Sequence, residues 1–237
     1  MTPFKAEMSL QAGDQTLNFF LFFESHYAVE FGNKGHEKLV VVYDLDSKSW
    51  TDFDPPRIVR KTDYEEWFRR SEEKSRKSLA STTDVELKKF ASAMLDPKFK
   101  ESSSQDSITL ENDVVKYEFS KPISLSDSQR KRFFEYDRLN AYRKAILERK
   151  FPPFAQVAVD DVLESRKFVP SLSVMSIRPP IPNPKASVRL SLEYRVLPFD
   201  EADKGPVVNA ISRAIAMRDA NLQKQSGNPK VPQRRTE

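Results

Sequence analysis

The chain has 237 residues, of which 38% are hydrophobic, 31% charged and 11% aromatic, a balance that excludes a disordered or fibrous polymer and leaves room for one large domain or two small ones. It contains no cysteine, only two histidines and five glycines, which excludes disulfides, thiolate metal sites, cysteine nucleophiles, a histidine-rich zinc motif, a dinucleotide-binding G-x-G-x-x-G and a P-loop. Lys and Arg number 39 against 35 Asp and Glu; of the resulting +4, residues 224–237 hold +3, from Lys224, Lys230, Arg234 and Arg235 against Glu237, so the remainder is nearly neutral.

The N-terminus, Met1-Thr-Pro-Phe-Lys-Ala-Glu-Met, has neither the apolar run nor the small-residue cleavage site of a signal peptide. No stretch has the length of a membrane span, since the longest apolar candidate, Leu17 to Phe23, is short and broken by Asn18. The expected compartment is the cytoplasm, with an exported form as the alternative.

The first 60 residues read as a β-meander. Leu17 to Phe23 is apolar on both faces, Tyr27, Val29 and Phe31 alternate with His26, Ala28 and Glu30, and Leu39 to Tyr43 is rich in β-branched residues. Gly32-Asn-Lys-Gly35 and Asp46-Ser-Lys-Ser49 are the expected turns, and Asp54-Pro-Pro56 is expected to end the meander. From Thr62 the pattern becomes helical: Thr62 with Glu65 reads as an N-terminal capping pair ahead of Tyr64, Trp67 and Phe68. A second helix opens at Thr83-Asp-Val-Glu86, carries Val85, Leu87, Phe90 and Met94, and stops at Asp96-Pro97. The polar run Glu101 to Asp106 reads as a connector.

The segment Ser107 to Phe119 predicts a hairpin about Glu111-Asn-Asp113. A long helix capped at Ser126-Asp-Ser128 should run to about Lys150, where Phe151-Pro-Pro-Phe154 breaks it and starts another through Leu163. Ala186, Val188, Leu190, Leu192, Tyr194 and Val196 alternate with polar residues and predict a half-buried antiparallel strand, paired with Leu172 to Ile177 across Arg178-Pro-Pro-Ile-Pro-Asn-Pro184. The last helix should start near Pro206 and end around Gln223, with Val207, Val208, Ile211, Ala214, Ile215 and Leu222 on one face. The fold class is therefore α+β, with mostly antiparallel sheets and segregated helices. It divides into an N-terminal half at 1–98, a C-terminal half at 107–223 and a basic tail at 224–237.

The second half resembles an uncharacterised bacterial family without an assigned activity. The resemblance is carried by Leu139-Asn140-Ala141, by Phe151-Pro-Pro-Phe-Ala155, and by Ile108-Thr-Leu with Val115-Lys-Tyr117, and extends over residues 20 to about 215. It implies a bacterial protein, and exported members are common in that family.

Two phrases suggest chemistry. Leu39-Val-Val-Val-Tyr-Asp44-Leu-Asp46, an apolar strand ending in D-x-D, resembles the start of haloacid-dehalogenase-like phosphatases, in which Asp44 would be nucleophile and Asp46 acid/base beside Mg²⁺. The bland reading is a turn in which the carboxylates accept backbone N–H bonds. The same stretch with Trp50 resembles one kelch-type strand pair, but a single copy makes no propeller. His26 shares its predicted strand face with Glu24 and Glu30, a grouping suited to a base or a metal but equally to a solvated face. The helix at 128–150 interleaves Arg130, Lys131, Arg132, Arg143 and Lys144 with Phe133, Phe134, Tyr136 and Tyr142; this can be a stacking surface for nucleic acid, or a buried helix with one solvated face. The Pro-rich segment at 178–184 suits a polyproline docking strand or a stiff loop.

The sequence thus points to a structural or interaction module without a catalytic centre or cofactor, contacting a protein partner or copies of itself. The alternatives are a Mg²⁺-dependent phosphohydrolase using Asp44 and Asp46, and weak, non-specific nucleic-acid binding through Lys224, Lys230, Arg234 and Arg235.

Overall fold

The computed structural model describes residues 1–34, 37–148, 153–178 and 188–226. Eleven strands among them form one antiparallel sheet: β1 Phe4–Ala12, β2 Gln15–Phe23, β3 Tyr27–Lys34, β4 Glu37–Asp44, β5 Ser49–Phe53, β6 Pro56–Val59, β7 Lys100–Ser103, β8 Ser107–Glu111, β9 Val115–Pro122, β10 Pro170–Ile177 and β11 Val188–Leu197. Their spatial order is β6-β5-β4-β3-β2-β1-β11-β10-β9-β8-β7. The helices are α1 Lys61–Ser81, α2 Val85–Leu95, α3 Asp127–Glu148, α4 Phe154–Ser165 and α5 Glu201–Ser226. This is the α+β architecture the element pattern predicts. Both halves contribute to the same sheet, and they join where β1 pairs with β11, Met8 opposite Tyr194 and Leu10 opposite Leu192.

Strand period decides how the helices distribute. Phe4, Ala6 and Met8 of β1, Leu21 and Phe23 of β2, Val41 and Tyr43 of β4, and Tyr117 and Phe119 of β9 are buried on one face, in one core with α1, α3 and α4. The alternate residues Phe22, Val29 and Val42 face the other way and pack with Val207, Ala210 and Ala214 of α5. Both faces are therefore covered at the C-terminal end of β2, which explains why Leu21 to Phe23 is apolar without alternation, whereas Leu17 and Phe20 nearer its start are exposed. Polar face residues of β9 and β11, such as Lys116, Glu118, Glu193 and Arg195, are half-buried or exposed, as expected for antiparallel strands with one solvated side.

Several local expectations change. Gly32 lies inside β3, not in a turn; a Cβ there would sit 2.4 Å from Cδ1 of Phe19, its cross-strand neighbour, so the glycine makes room for the ring. Gly35, the expected helix end and break at 149–152, and residues 179–187 fall outside the described residues. Asp54-Pro-Pro56 turns the chain into β6 instead of ending the sheet. Helix α1 begins at Lys61, with Asp63, not Glu65, reaching back to the Arg60 N–H at 3.0 Å. The run expected as a connector supplies β7, a short charged edge strand paired with β8. Val85 and Leu87 of α2 and Val208 and Leu222 of α5 are exposed, the buried positions being Ala91 and Leu95, and Val207, Ala210 and Ala214. Helix α5 starts a turn before Pro206, where Asp200 and Asp203 accept one another's backbone N–H.

The other punctuation behaves as its chemistry requires. Asp84 accepts the Leu87 N–H at 3.0 Å and caps α2. Asn112 accepts the N–H groups of Val114 and Val115 and closes the β8–β9 hairpin. Ser126 and Gln129 exchange bonds at the start of α3.

Candidate functional site

Asp44 and Asp46 leave the β4–β5 turn in opposite directions. Asp44 accepts the Ser47 N–H at 2.9 Å and bonds Arg218 of α5 at 3.0 Å. Asp46 points toward α3, with His26 Nδ1 2.5 Å from one oxygen and Arg132 Nη1 2.9 Å from the other. The His26 hydrogen bond, helped by Arg132, holds the Asp46 carboxyl below the usual carboxylate range. The two aspartates are thus engaged with separate partners. Lys48, two residues on, has φ +52 and reaches neither of them.

His26 does not meet Glu30. It lies in the β2–β3 turn, whereas Glu30 is 2% exposed on the helix-facing side of β3. There Glu30 Oε2 accepts from the hydroxyls of Tyr43 and Tyr136, each at 3.1 Å; Tyr43 also donates to Asn140 Oδ1, and Asn140 Nδ2 donates to Tyr136. One turn further along α3, Arg143 Nε donates to Asp52 Oδ1 of β5 at 2.6 Å. Tyr136, Asn140 and Arg143 are spaced so that one stripe of α3 reaches β3, β4 and β5. Burial, with the Glu30 charge second, pushes the Tyr43 and Tyr136 hydroxyls well above their ordinary range. The stripe is a packing network that fixes how α3 sits on the sheet. Sequence reading missed it because its helix-to-sheet contacts span 91 to 106 residues.

The cleft with the chemistry of a binding site lies beside this network. It has a volume of about 450 Å³ and is bounded by the β4–β5 turn, α1, α3 and Phe154 at the start of α4. Buried Leu45, Tyr64, Phe68 and Leu139 make its floor, with half-buried Tyr142 beside them. The rings are ordered: Tyr64 stacks on Trp50 at 5.4 Å between centroids and on Tyr142 at 5.0 Å, while Phe68 tilts against Tyr142 at 5.0 Å. Burial raises the phenol pKa of both Tyr64 and Tyr142, so both hydroxyls stay neutral at physiological pH.

Charges ring the mouth. Glu65, Glu72 and Glu135 each have a basic partner, in Lys61 at 3.5 Å, Arg76 at 2.8 Å and Arg132 at 2.8 Å. Arg69 pairs with Glu66 and Glu73, and Arg138 reaches across to Asp161 and Glu164 of α4. Lys48 is the rim cation that has no ion pair among the described residues. Tyr64 and Phe68 were legible as the apolar stripe of a capped helix; that Tyr142 and Phe154 join them depends on tertiary packing.

Of the basic residues singled out in the tail, Lys224 falls in the last turn of α5, and Lys230, Arg234 and Arg235 lie outside the described residues. In α3, Phe133, Phe134, Tyr136 and Arg143 are buried, which leaves them unable to stack on an external strand. No described helix is long and apolar enough to cross a membrane. Comparison with protein-family models finds no match, and no curated protein matches the chain.

Proposed function

We propose that the protein is an interaction module whose recognition site is the α1–α3–α4 cleft, and that the site takes an aromatic side chain flanked by carboxylates on a partner protein. The observation that carries this reading is the stacked floor of Tyr64, Phe68 and Tyr142 below a rim whose acids are all paired and whose Lys48 has no ion pair among the described residues. A concave apolar site with a few placed polar groups is the usual form of a ligand site, and an aromatic anchor buried in such a pocket supplies most of the energy of many interfaces. An incoming ring extends the stack, and the flanking carboxylate finds Lys48 without displacing an existing partner.

The test is backbone chemical-shift mapping with a pentapeptide carrying a central tryptophan between acidic residues, its counterpart with lysines in their place, and N-acetyltryptophan. The acidic peptide should shift amides of Leu45–Lys48, Tyr64–Glu72 and Glu135–Tyr142, and the lysine peptide should bind at least about tenfold more weakly. Equal binding of the two peptides, or shifts elsewhere, would refute the reading. N-acetyltryptophan binding as tightly as the acidic peptide would make the occupant a free aromatic acid, not a partner segment.

A further inference from the structure

Behind the cleft, α4 packs on α3 through two carboxyl groups. Asp160 of α4 is completely buried, with Gln156 Nε2 donating to its Oδ1 at 3.0 Å. Its Oδ2 meets no protein donor. Asp137 stands on the facing side of α3, next to Arg138, which bonds Asp161 and Glu164 of α4, so the Asp137 and Asp160 carboxyl groups adjoin. Two carboxylates cannot occupy such a place together; one proton between them satisfies the orphaned oxygen and removes the repulsion.

We propose that Asp137 and Asp160 form a proton-operated latch: one shared proton holds α4 against α3, and its loss on alkalinisation sets two adjoining carboxylates, half-buried Asp137 and fully buried Asp160, against each other and releases α4.

The surroundings support this assignment. Burial first, and the Asp137 charge second, hold the Asp160 carboxyl well above the usual carboxylate range, and burial also raises Asp137, so the shared proton belongs to the pair. On α3, Arg138 and Lys144 act on Asp137 in the opposite sense, and Arg138 bonds Asp161 and Glu164 on the exposed side of α4. From the sheet, Tyr117 of β9 and Tyr194 of β11 face the pair, both neutral, and Tyr142 of α3 feels the Asp160 charge. Gln156 is the remaining polar neighbour on α4, and no charged group of α2 is among those acting on either carboxyl. Arg138, the cation that acts on Asp160, is already bonded to Asp161 and Glu164. A proton bound more tightly by the folded than the unfolded chain gives stability that is complete below the ordinary carboxylate range and is lost as pH rises through the folded value. Because Phe154 opens α4 and also lines the cleft, release of α4 moves one cleft wall.

The latch rests on helix packing alone, so it stands or falls independently of what the cleft binds. The test is amide hydrogen exchange, corrected for its intrinsic pH dependence, between roughly pH 6 and roughly pH 9. Protection of Val157–Leu163 should fall about tenfold or more relative to β2 and β3 in the wild type, a ratio equal to one pKa unit, and should stay level in Asp160→Asn, whose amide donates without titrating. Parallel profiles in the two proteins, or a level profile in the wild type, would overturn the proposal. Carboxyl ¹³C titration of the unmodified protein gives an answer independent of the variant: one of the two aspartates should titrate well above about 4, and both titrating at about 4 would equally overturn it.

Discussion

Arg143 and Asp52, 91 residues apart, meet at 2.6 Å with each side chain only 7% exposed, and the pair ties the middle of α3 to β5. Burial works against the Arg143 charge, but Tyr43, Asp52 and Glu30 around it outweigh that and raise its proton affinity. Asp52 Oδ2 has no protein partner, so the pair is not fully satisfied. Such a pair costs most when it is halved. Arg143→Met, which leaves the Asp52 charge buried alone, should lower the unfolding free energy by about 3–5 kcal/mol, whereas Arg143→Met with Asp52→Leu should recover most of the loss. Urea denaturation of the wild type and three variants decides this; additive losses in the double variant would mean that the charges do not interact.

Gly32 and Phe19 form a cross-strand pair with a testable coupling. Because a Cβ at position 32 would lie 2.4 Å from the ring, Gly32→Ala should cost about 1–3 kcal/mol in a wild-type background. In a Phe19→Ala background the cost should fall by at least about 0.5 kcal/mol, measured by thermal or chemical denaturation. Equal costs in both backgrounds would show that Gly32 is not there to admit the ring.

The alternation of β11 gives a paired prediction. Tyr194 is 5% exposed and meets Phe133 edge-on at 5.3 Å, so Tyr194→Asp should destabilise by several kcal/mol, on the order of 3 or more. Its neighbour Arg195 is largely exposed, bonded to Glu7 across the β1–β11 pair, and Arg195→Asp should change stability by no more than about 1 kcal/mol. Melting curves that coincide for the two variants would place the wrong face of β11 in the core.

What was legible in the sequence follows the range of the interactions that decide it. The alternation of β11, the apolar run of β2, the Asn112 hairpin and the cap at Ser126 are local signals, and the structure contains each of them, whereas α2 is capped by Asp84 and not by the Thr83–Glu86 pair. β1 carries the same local signal, with Phe4, Ala6, Met8 and Leu10 alternating against Lys5, Glu7, Ser9 and Gln11, and its period of two predicts a strand as directly as that of β11. That β1 pairs with β11, 188 residues away at Glu7 and Arg195, is a matter of topology that no local pattern encodes. The same holds for the candidate site. Glu30 reads as a solvated strand residue until α3 is seen to bring Tyr136 over it, and Val85 and Leu87 read as core until α2 is seen to pack through Ala91 and Leu95.

The most direct measurement of the central claim is the affinity of the tryptophan-centred acidic pentapeptide for the wild type, Lys48→Glu and Tyr142→Ala, by titration calorimetry at low and high salt. Lys48 is exposed and has no ion pair among the described residues, so its reversal should leave the fold intact while weakening binding about tenfold, with a smaller difference at high salt, and Tyr142→Ala should weaken binding at either salt. Binding that is unchanged in both variants would contradict the account and move recognition away from the α1–α3–α4 cleft.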